Sequence, residues 1–292
     1  MMPPAPLTHS TPAARRVILL VLDGLRADLI GDARFPHLAR LCVKSASTVD
    51  ATTVLPSVTA VAMTSLLSGL SPADHGIDSD RFRVPTPRVP MTTLPQAVVA
   101  AGLPATGIVR KVPWVLRHTA ERIVRALGLE RTIYAVPNAH VLLNAAAPVL
   151  REQRTGLIVL HWPDCDAIGH SAGWMSLPYL TAVARMDHAL GMLLEQIGES
   201  LDGTLLVALA DHGGGGRIAT HHDSEHPFDC SIPIMLHGAG VQPQVLPSGL
   251  TLLDVPPTVL HALGLQIPSS YAGRPITQAF DVPMLTGAVA AA

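Results

Sequence analysis

Val17-Ile18-Leu19-Leu20-Val21-Leu22 runs straight into Asp23-Gly24. Six consecutive apolar residues, most of them β-favouring and without polar alternation, predict a strand covered on both faces, since a strand with one wet face would alternate. Two further runs of this kind occupy 156–161 and 204–209. More polar extended stretches cover 48–55, 106–109 and 232–236. Helix-like segments lie between them, over 35–43, 59–69, 94–101, 139–152, 177–197 and 251–263. Strands alternating with helices, without hairpin signals in the core, predict an α/β fold: a three-layer αβα sandwich with a mainly parallel central sheet.

The 292 residues are 48 % apolar and 14 % charged, which is ample material for a large core. A formal net charge of −2 argues against a nucleic acid polymer or an anionic membrane as partner. No run approaches the roughly 18 apolar residues that a membrane span needs. The run at 17–22 is too short for a signal-peptide core, and Asp23 interrupts it. Cys42, Cys165 and Cys230 are odd in number and unpatterned, which fits a reducing compartment rather than a disulfide framework. The expectation is a cytoplasmic protein with one catalytic domain over 17–280 and tails at 1–16 and 281–292. The segment 104–153 lacks clear strand alternation and is expected to form a helical cap or insertion at one edge. Within it, Arg110, Lys111, Arg117, Arg122, Arg125 and Arg131 face only Glu121 and Glu130. The simplest reading is a solvated helix face; the sharper one is a cap whose arginines grip an anionic leaving group.

Ligands of open α/β sheets bind at the carboxyl ends of the strands. Here those ends carry Asp23, then His161-Trp162-Pro163-Asp164-Cys165-Asp166-Ala167-Ile168-Gly169-His170, then Asp211-His212 followed by four glycines. His221, His222 and His226 come next. Carboxylates and imidazoles on three successive strand ends suit zinc, with manganese second. A fourth element opens a helix at Thr59, after Pro56-Ser57. A hydroxyl at a helix mouth lies beside unpaired N–H groups and the positive end of the helix dipole, a suitable place to attack or hold a phosphoryl group. Each feature has a plainer reading. Thr59 could be an N-cap, Asp23 could cap a helix, and Asp166 with His170 could be a surface i, i+4 pair. The glycines lack the lysine and spacing of a phosphate-cradling loop and read as a flexible turn. Asp164 could orient a ligand, Asp187 could cap or be solvated, and His75, His161, His188 and His261 read as ordinary satisfied imidazoles.

Taken together, these residues resemble the alkaline phosphatase superfamily, in particular its type I phosphodiesterase and nucleotide pyrophosphatase branch. The resemblance rests on Leu22-Asp23-Gly24, on Thr59 ten residues before Gly69, and on Pro72-Ala73-Asp74-His75-Gly76. It continues through Asp166-x-x-x-His170, Asp211-His212-Gly213, and His222 ahead of Pro227, Asp229 and Ile232-Pro233. Leu253-Asp254-Val255-Pro256-Pro257-Thr258 and Gly273-Arg274 complete it. The resemblance implies two divalent metal ions, one held by Asp166, His170 and His222. The other would be held by Asp23, Asp211, His212 and the Thr59 oxygen. It singles out His222, with His226 the runner-up. It further implies a metal-activated Thr59 nucleophile, a phosphothreonine intermediate and an Ala60 N–H donated to the phosphoryl group. The substrate would be a small phosphate ester or nucleotide-like molecule. The family's asparagine, three residues after the nucleophile, is replaced by Ala62. No phosphate-gripping arginine is assigned by motif, leaving Arg110, Lys111 and Arg26 as candidates. Alternatives within the superfamily are a phosphomonoesterase, a phosphonate hydrolase, or a phosphotransferase or mutase. A sulfatase is disfavoured, since no Cys/Ser-x-Pro-x-Arg stands at the nucleophile. A different class is a catalytically silent, metal-stabilised binding protein.

Overall fold

The structure, a computed structural model, describes residues 12–81, 83–198 and 201–280. Eight strands form one sheet: β1 (Arg16–Leu22), β2 (Ala46–Thr52), β3 (Ala105–Arg110), β4 (Arg131–Ala135), β5 (Gly156–Trp162), β6 (Thr204–Leu209), β7 (Ser231–Gly238) and β8 (Gln244–Val245). Their order is β4-β3-β5-β1-β6-β7-β2-β8. Every neighbouring pair is parallel except those that β7 makes with β6 and β2. All residues of β1, β5 and β6 are buried, as their continuous apolar character requires.

Helices cover the sheet in two groups. Pro36–Val43, Ala139–Glu152, Asp164–Ala172 and Leu177–Ile197 pack together. Thr59–Ser68, Leu94–Ala100 and Val255–Ala262 form the other group. The layers are tied by buried polar contacts as well as by core packing. Asp187, in the long helix, is buried and accepts the N–H groups of His37 (3.3 Å) and Leu38 (2.7 Å), capping the neighbouring helix from outside it.

Two expectations need correction. The segment 104–153 is not a cap alone: it supplies β3 and β4, which extend the main sheet beyond β5. β4 is hard to see in the sequence because it is a half-exposed edge strand of five residues with arginine at its start. Order also begins before residue 17: the N–H of Ala14 bonds Ala262 O at 2.9 Å, that of Arg15 bonds Gly203 O at 2.8 Å, and β1 starts at Arg16. Residues 1–11 of the expected first tail, and the second tail 281–292, lie outside the described residues. In addition, 164–172 is a helix, with Asp164 and Asp166 in its first turn where acidic groups meet the positive helix end.

Candidate metal centre and active site

Strands β1, β5 and β6 end nearly level, with Leu22 beside Trp162 and Val21 beside Leu209. The first acidic residues beyond them are therefore delivered to one edge of the sheet. The turn after β1 and the helix after β5 touch directly, the Asp166 N–H donating to Asp23 O at 3.0 Å. Gly24 makes this approach possible. Its φ is +71°, and a Cβ there would fall 2.7 Å from Asp166 Cα and 2.8 Å from Asp166 N.

Thr59 is the first residue of its helix, not the cap. Val58 holds the N-cap position and its own side chain makes no capping hydrogen bond. The Thr59 hydroxyl instead points at the acidic edge, 3.4 Å from Asp23 Oδ1 and 3.1 Å from His212 Nε2. His212 Nε2 lies 3.4 Å from Asp23 Oδ1 and 3.6 Å from Asp211 Oδ2. Beside this group, Asp166 Oδ1 is 3.3 Å from His170 Nε2 and 3.5 Å from His222 Nε2. The two halves join where the His212 and His222 rings stack, 3.8 Å between centroids and 8° apart. The structure thus gathers all seven residues singled out from the sequence.

The histidine tautomers follow from their partners. Nδ1 of His170 faces Thr220 O at 3.0 Å, that of His212 faces Gly213 O at 2.9 Å, and that of His222 faces Ser57 O at 2.6 Å. A carbonyl only accepts, so each Nδ1 carries a proton and each Nε2 offers its lone pair inward. The Nε2 atoms of His170 and His222 are only 3.0 Å apart, a repulsive arrangement unless a proton or a cation is nearby. Asp166 Oδ1 and Asp211 Oδ2 are buried without a well-aligned hydrogen bond. Inward-facing imidazole lone pairs and orphaned carboxylate oxygens are the donor set a divalent cation needs, and the residues present fit it.

The charges lean the same way. Burial, reinforced by Asp211 and Asp166, pushes the Asp23 carboxyl well above its ordinary range. Burial opposes charge on His212, yet Asp211, Asp23 and Asp166 outweigh it and lift its pKa to about 8. The Asp166 carboxylate, as acceptor beside the His170 Nε2, does most to raise that imidazole to about 9. Burial, and then the His212 charge, lower His222. Without a metal, a proton on Asp23 and protons on His170 and His212 relieve the crowding of the three carboxyl groups.

Other expectations are revised. His226 caps the short helix Pro227–Cys230 through Phe228 N, away from the cluster, so the geometry selects His222. Ala62 is fully buried in the core and is not among the residues that line the cavity at Thr59. The Ala60 N–H is engaged by Asp80 Oδ1 at 3.0 Å. Asp164 accepts from Ala139 N at 3.1 Å and so caps the helix Ala139–Glu152. The four glycines are packed rather than loose: a Cβ at Gly214 would sit 2.1 Å from the Trp174 ring. Arg26 is paired with Asp28 at 2.6 Å and stacked 3.7 Å over Phe228. Arg110 lines the cavity at Thr59, whereas Lys111 does not.

Several supporting residues escape sequence reasoning. His161 Nε2 lies 3.1 Å from Asp23 Oδ2 at the buried end of β5. Ser57 bonds the His222 backbone carbonyl through its hydroxyl and the His222 ring through its own carbonyl. Trp174 Nε1 and Tyr179 Oη both donate to Gly24 O at 2.9 Å. The only sequence signal for His161 is its place at a strand end; Ser57 and Trp174 act through contacts that no local pattern encodes.

Comparison with known proteins agrees with this arrangement. A model of the metalloenzyme superfamily matches residues 117–267, and one of type I phosphodiesterases and nucleotide pyrophosphatases matches residues 17–141. A phosphopentomutase of Anaeromyxobacter dehalogenans is 30 % identical over 194 residues, which is 65 % of this chain and 43 % of that protein. A 2,3-bisphosphoglycerate-independent phosphoglycerate mutase of Listeria welshimeri is 27 % identical over 143 residues, 48 % of this chain and 27 % of the relative. The chain therefore spans less than half the length of either. The lipoteichoic acid synthase LtaP from Listeria monocytogenes superposes with a TM-score of 0.71 at 17 % identity, covering 91 % of this chain and 76 % of that one. A phosphonate monoester hydrolase from Silicibacter pomeroyi gives 0.69 at 16 % identity, covering 92 % and 77 %. Fold, donor cluster and family match agree on a metalloenzyme. The chain belongs to the metalloenzyme superfamily, and its fold is shared with a protein of the alkaline phosphatase superfamily from Vibrio parahaemolyticus, with a TM-score of 0.69 at 16 % identity, covering 92 % of this chain and 71 % of that one. Among the described residues no helix is long and apolar enough to cross a membrane.

Proposed function

We propose that this protein is a two-metal hydrolase of small phosphate esters that acts on diesters through Thr59. One observation carries the reading: three imidazoles fixed by backbone carbonyls turn their Nε2 atoms toward three buried carboxylates, with the Thr59 hydroxyl on the rim. Asp166, His170 and His222 would hold one cation; Asp23, Asp211, His212 and Thr59 Oγ1 would hold the other. Mixed nitrogen and oxygen donors favour zinc, with manganese next. When bound, the cations supply Lewis acidity that lowers the pKa of a coordinated hydroxyl and offsets charge on the phosphoryl group.

The chain's own part is positional. Asp23 and His212 set the Thr59 oxygen, His161 steadies Asp23, and Ser57 fixes the His222 ring. Thr59 Oγ1 bonds to phosphorus as the ester's alcohol leaves, and water then cleaves the phosphothreonine. Asp80 at the helix mouth supports the preference for diesters, because a carboxylate there repels a dianionic monoester more than a monoanionic diester. Three cysteines, none bonded to another, support a reducing compartment.

The test is turnover of bis(4-nitrophenyl) phosphate against 4-nitrophenyl phosphate, with zinc or manganese added. The diester is expected to be the better substrate. Thr59→Ala is expected to lose about a thousandfold or more in kcat while still binding metal. A Thr59→Ala protein as fast as its parent would falsify the nucleophile. Turnover of neither ester with both metals bound would favour a silent binding protein, and a faster monoester would favour a phosphomonoesterase.

A further inference from the structure

The cavity that opens at Thr59 has a volume of about 410 Å³. Its floor is polar, with Asp23, Thr59, His161 and Asp166. The rest of its wall is largely aliphatic. Met63 and Leu67 come from the Thr59 helix, Leu116, Ile123 and Val124 from the segment after β3, and Leu129 from the approach to β4. The helix Arg117–Ala126 explains this lining. Positions 116, 120, 123, 124 and 127 recur at helical spacing on one face, and all five line the cavity. Arg117, Arg122 and Arg125 are exposed and do not line it. The helix Arg117–Ala126 therefore turns its hydrocarbon side, not its arginines, toward the cavity, while Arg110, ahead of it, does line the cavity. Thr64, Asp80, Arg81, Arg83, Arg110 and Tyr134 also line the cavity, but the aliphatic stretch contributed by the segment after β3 rewards burial of a hydrocarbon and repays little of the desolvation of a polar group.

Resting on the assignment of Thr59 above, the geometry points to a phosphate ester with a hydrocarbon arm: its phosphoryl group at Thr59, its arm beneath the helix Arg117–Ala126. Arg110, at the end of β3, lines the same cavity and its charge acts on Asp23 and His161, so it is within electrostatic reach of the phosphoryl position. About 410 Å³ suits a ligand of drug-like size, so an arm of several carbons fits and a bare phosphate leaves most of the space unused. Trp114 and Val115 carry exposed apolar surface outward next to Leu116.

The experiment measures binding of ethyl, butyl, hexyl and octyl phosphate to the zinc-loaded full chain by calorimetry, with turnover of the matching 4-nitrophenyl alkyl diesters followed separately. Affinity is expected to rise about three- to fourfold per methylene over the first several carbons, with an increasingly negative heat-capacity change. Val124→Trp, which fills the cavity, and Leu116→Asp, at a partly exposed position, are each expected to flatten that dependence. Octyl and ethyl phosphate binding within twofold of each other, or neither binding, overturns the inference. So does a chain-length dependence that survives both substitutions unchanged. Length-dependent binding without turnover of any diester would uphold the cavity's role and remove the hydrolase reading instead.

Discussion

Trp174 donates its indole N–H to the carbonyl of Gly24 at 2.9 Å while its ring stands edge-on to both His170 and His222, with centroids 5.3 and 5.5 Å away. One side chain thus couples the turn that bears Asp23 to two of the three converging imidazoles. Trp174→Phe keeps much of the packing and loses the hydrogen bond. The expected result is a 10- to 100-fold drop in metal affinity, with about 1 kcal/mol of stability lost. Competition with a chromophoric chelator measures the first and urea unfolding the second. Unchanged metal affinity would show that the tryptophan is only filler.

Gly24→Ala sets a methyl against the Asp166 backbone at a positive φ. Strain and clash together are expected to cost on the order of 2 kcal/mol or more, and to spread Asp23 from Asp166. Denaturant midpoints should fall and metal titration should weaken. A variant as stable and as tightly metallated as the parent would mean that the turn yields freely.

Asp80 holds the Ala60 N–H that a phosphoryl oxygen would otherwise accept. Asp80→Asn removes a negative charge from that spot. The KM for a monoanionic diester is expected to fall severalfold, with the larger effect at low salt where screening is weak. A rise in KM would give Asp80 a role other than competing for that donor.

His75 is buried, accepts the Ile77 N–H on Nδ1 and meets Ser65 Oγ through Nε2. Burial lowers its pKa to about 4, against an opposing pull from Asp74. The unfolded chain takes up this proton near pH 6.5 and the folded chain only near pH 4, so stability falls as pH drops between those values and is flat above them. His75→Gln should show a shallower loss of urea midpoint from pH 6.5 to pH 4 than the parent. Parallel curves would deny His75 this part in acid sensitivity.

Metal loading should stabilise the fold, because the cation binds a site absent from the unfolded chain. At a hundred times the dissociation constant the gain is about 2.7 kcal/mol, or roughly 4–5 °C in melting temperature for a chain of this size. Chelator-treated protein scanned with and without added zinc gives the comparison. Asp211→Ala should reduce the shift and Asp166→Ala/Asp211→Ala together should abolish it; a full shift in the double variant would locate the metal elsewhere.

Much of this was legible in the sequence, for identifiable reasons. β1, β5 and β6 are uninterrupted apolar runs because both their faces are covered, and their ends announce Asp23, Asp166 and Asp211. β4 and β8 were not legible: one is a half-exposed edge strand, the other is two residues long. The helix at 164–172 could have been read from Asp164 and Asp166 in its first turn. The seven converging side chains were implied by the resemblance to the alkaline phosphatase superfamily, with Asp23, Asp166 and Asp211 also marked by their places at strand ends. Ser57, Trp174 and Asp80 do not, since each acts through a backbone group brought near by folding. The basic segment showed its amphipathicity but not its orientation, which depends on the cavity it closes.

The central position of β1 bears on how the chain reaches its folded state. Arg16 pairs with Gly156 on one side and with Thr204 on the other. During synthesis at about 5–20 residues per second, this oily strand waits about ten seconds or more for either neighbour to emerge. An early-made, late-paired strand is an invitation to chaperones and, at high expression, to inclusion bodies. The histidine cluster likewise stays incomplete until residue 222 has left the ribosome, so loading with metal belongs to the last stage of maturation.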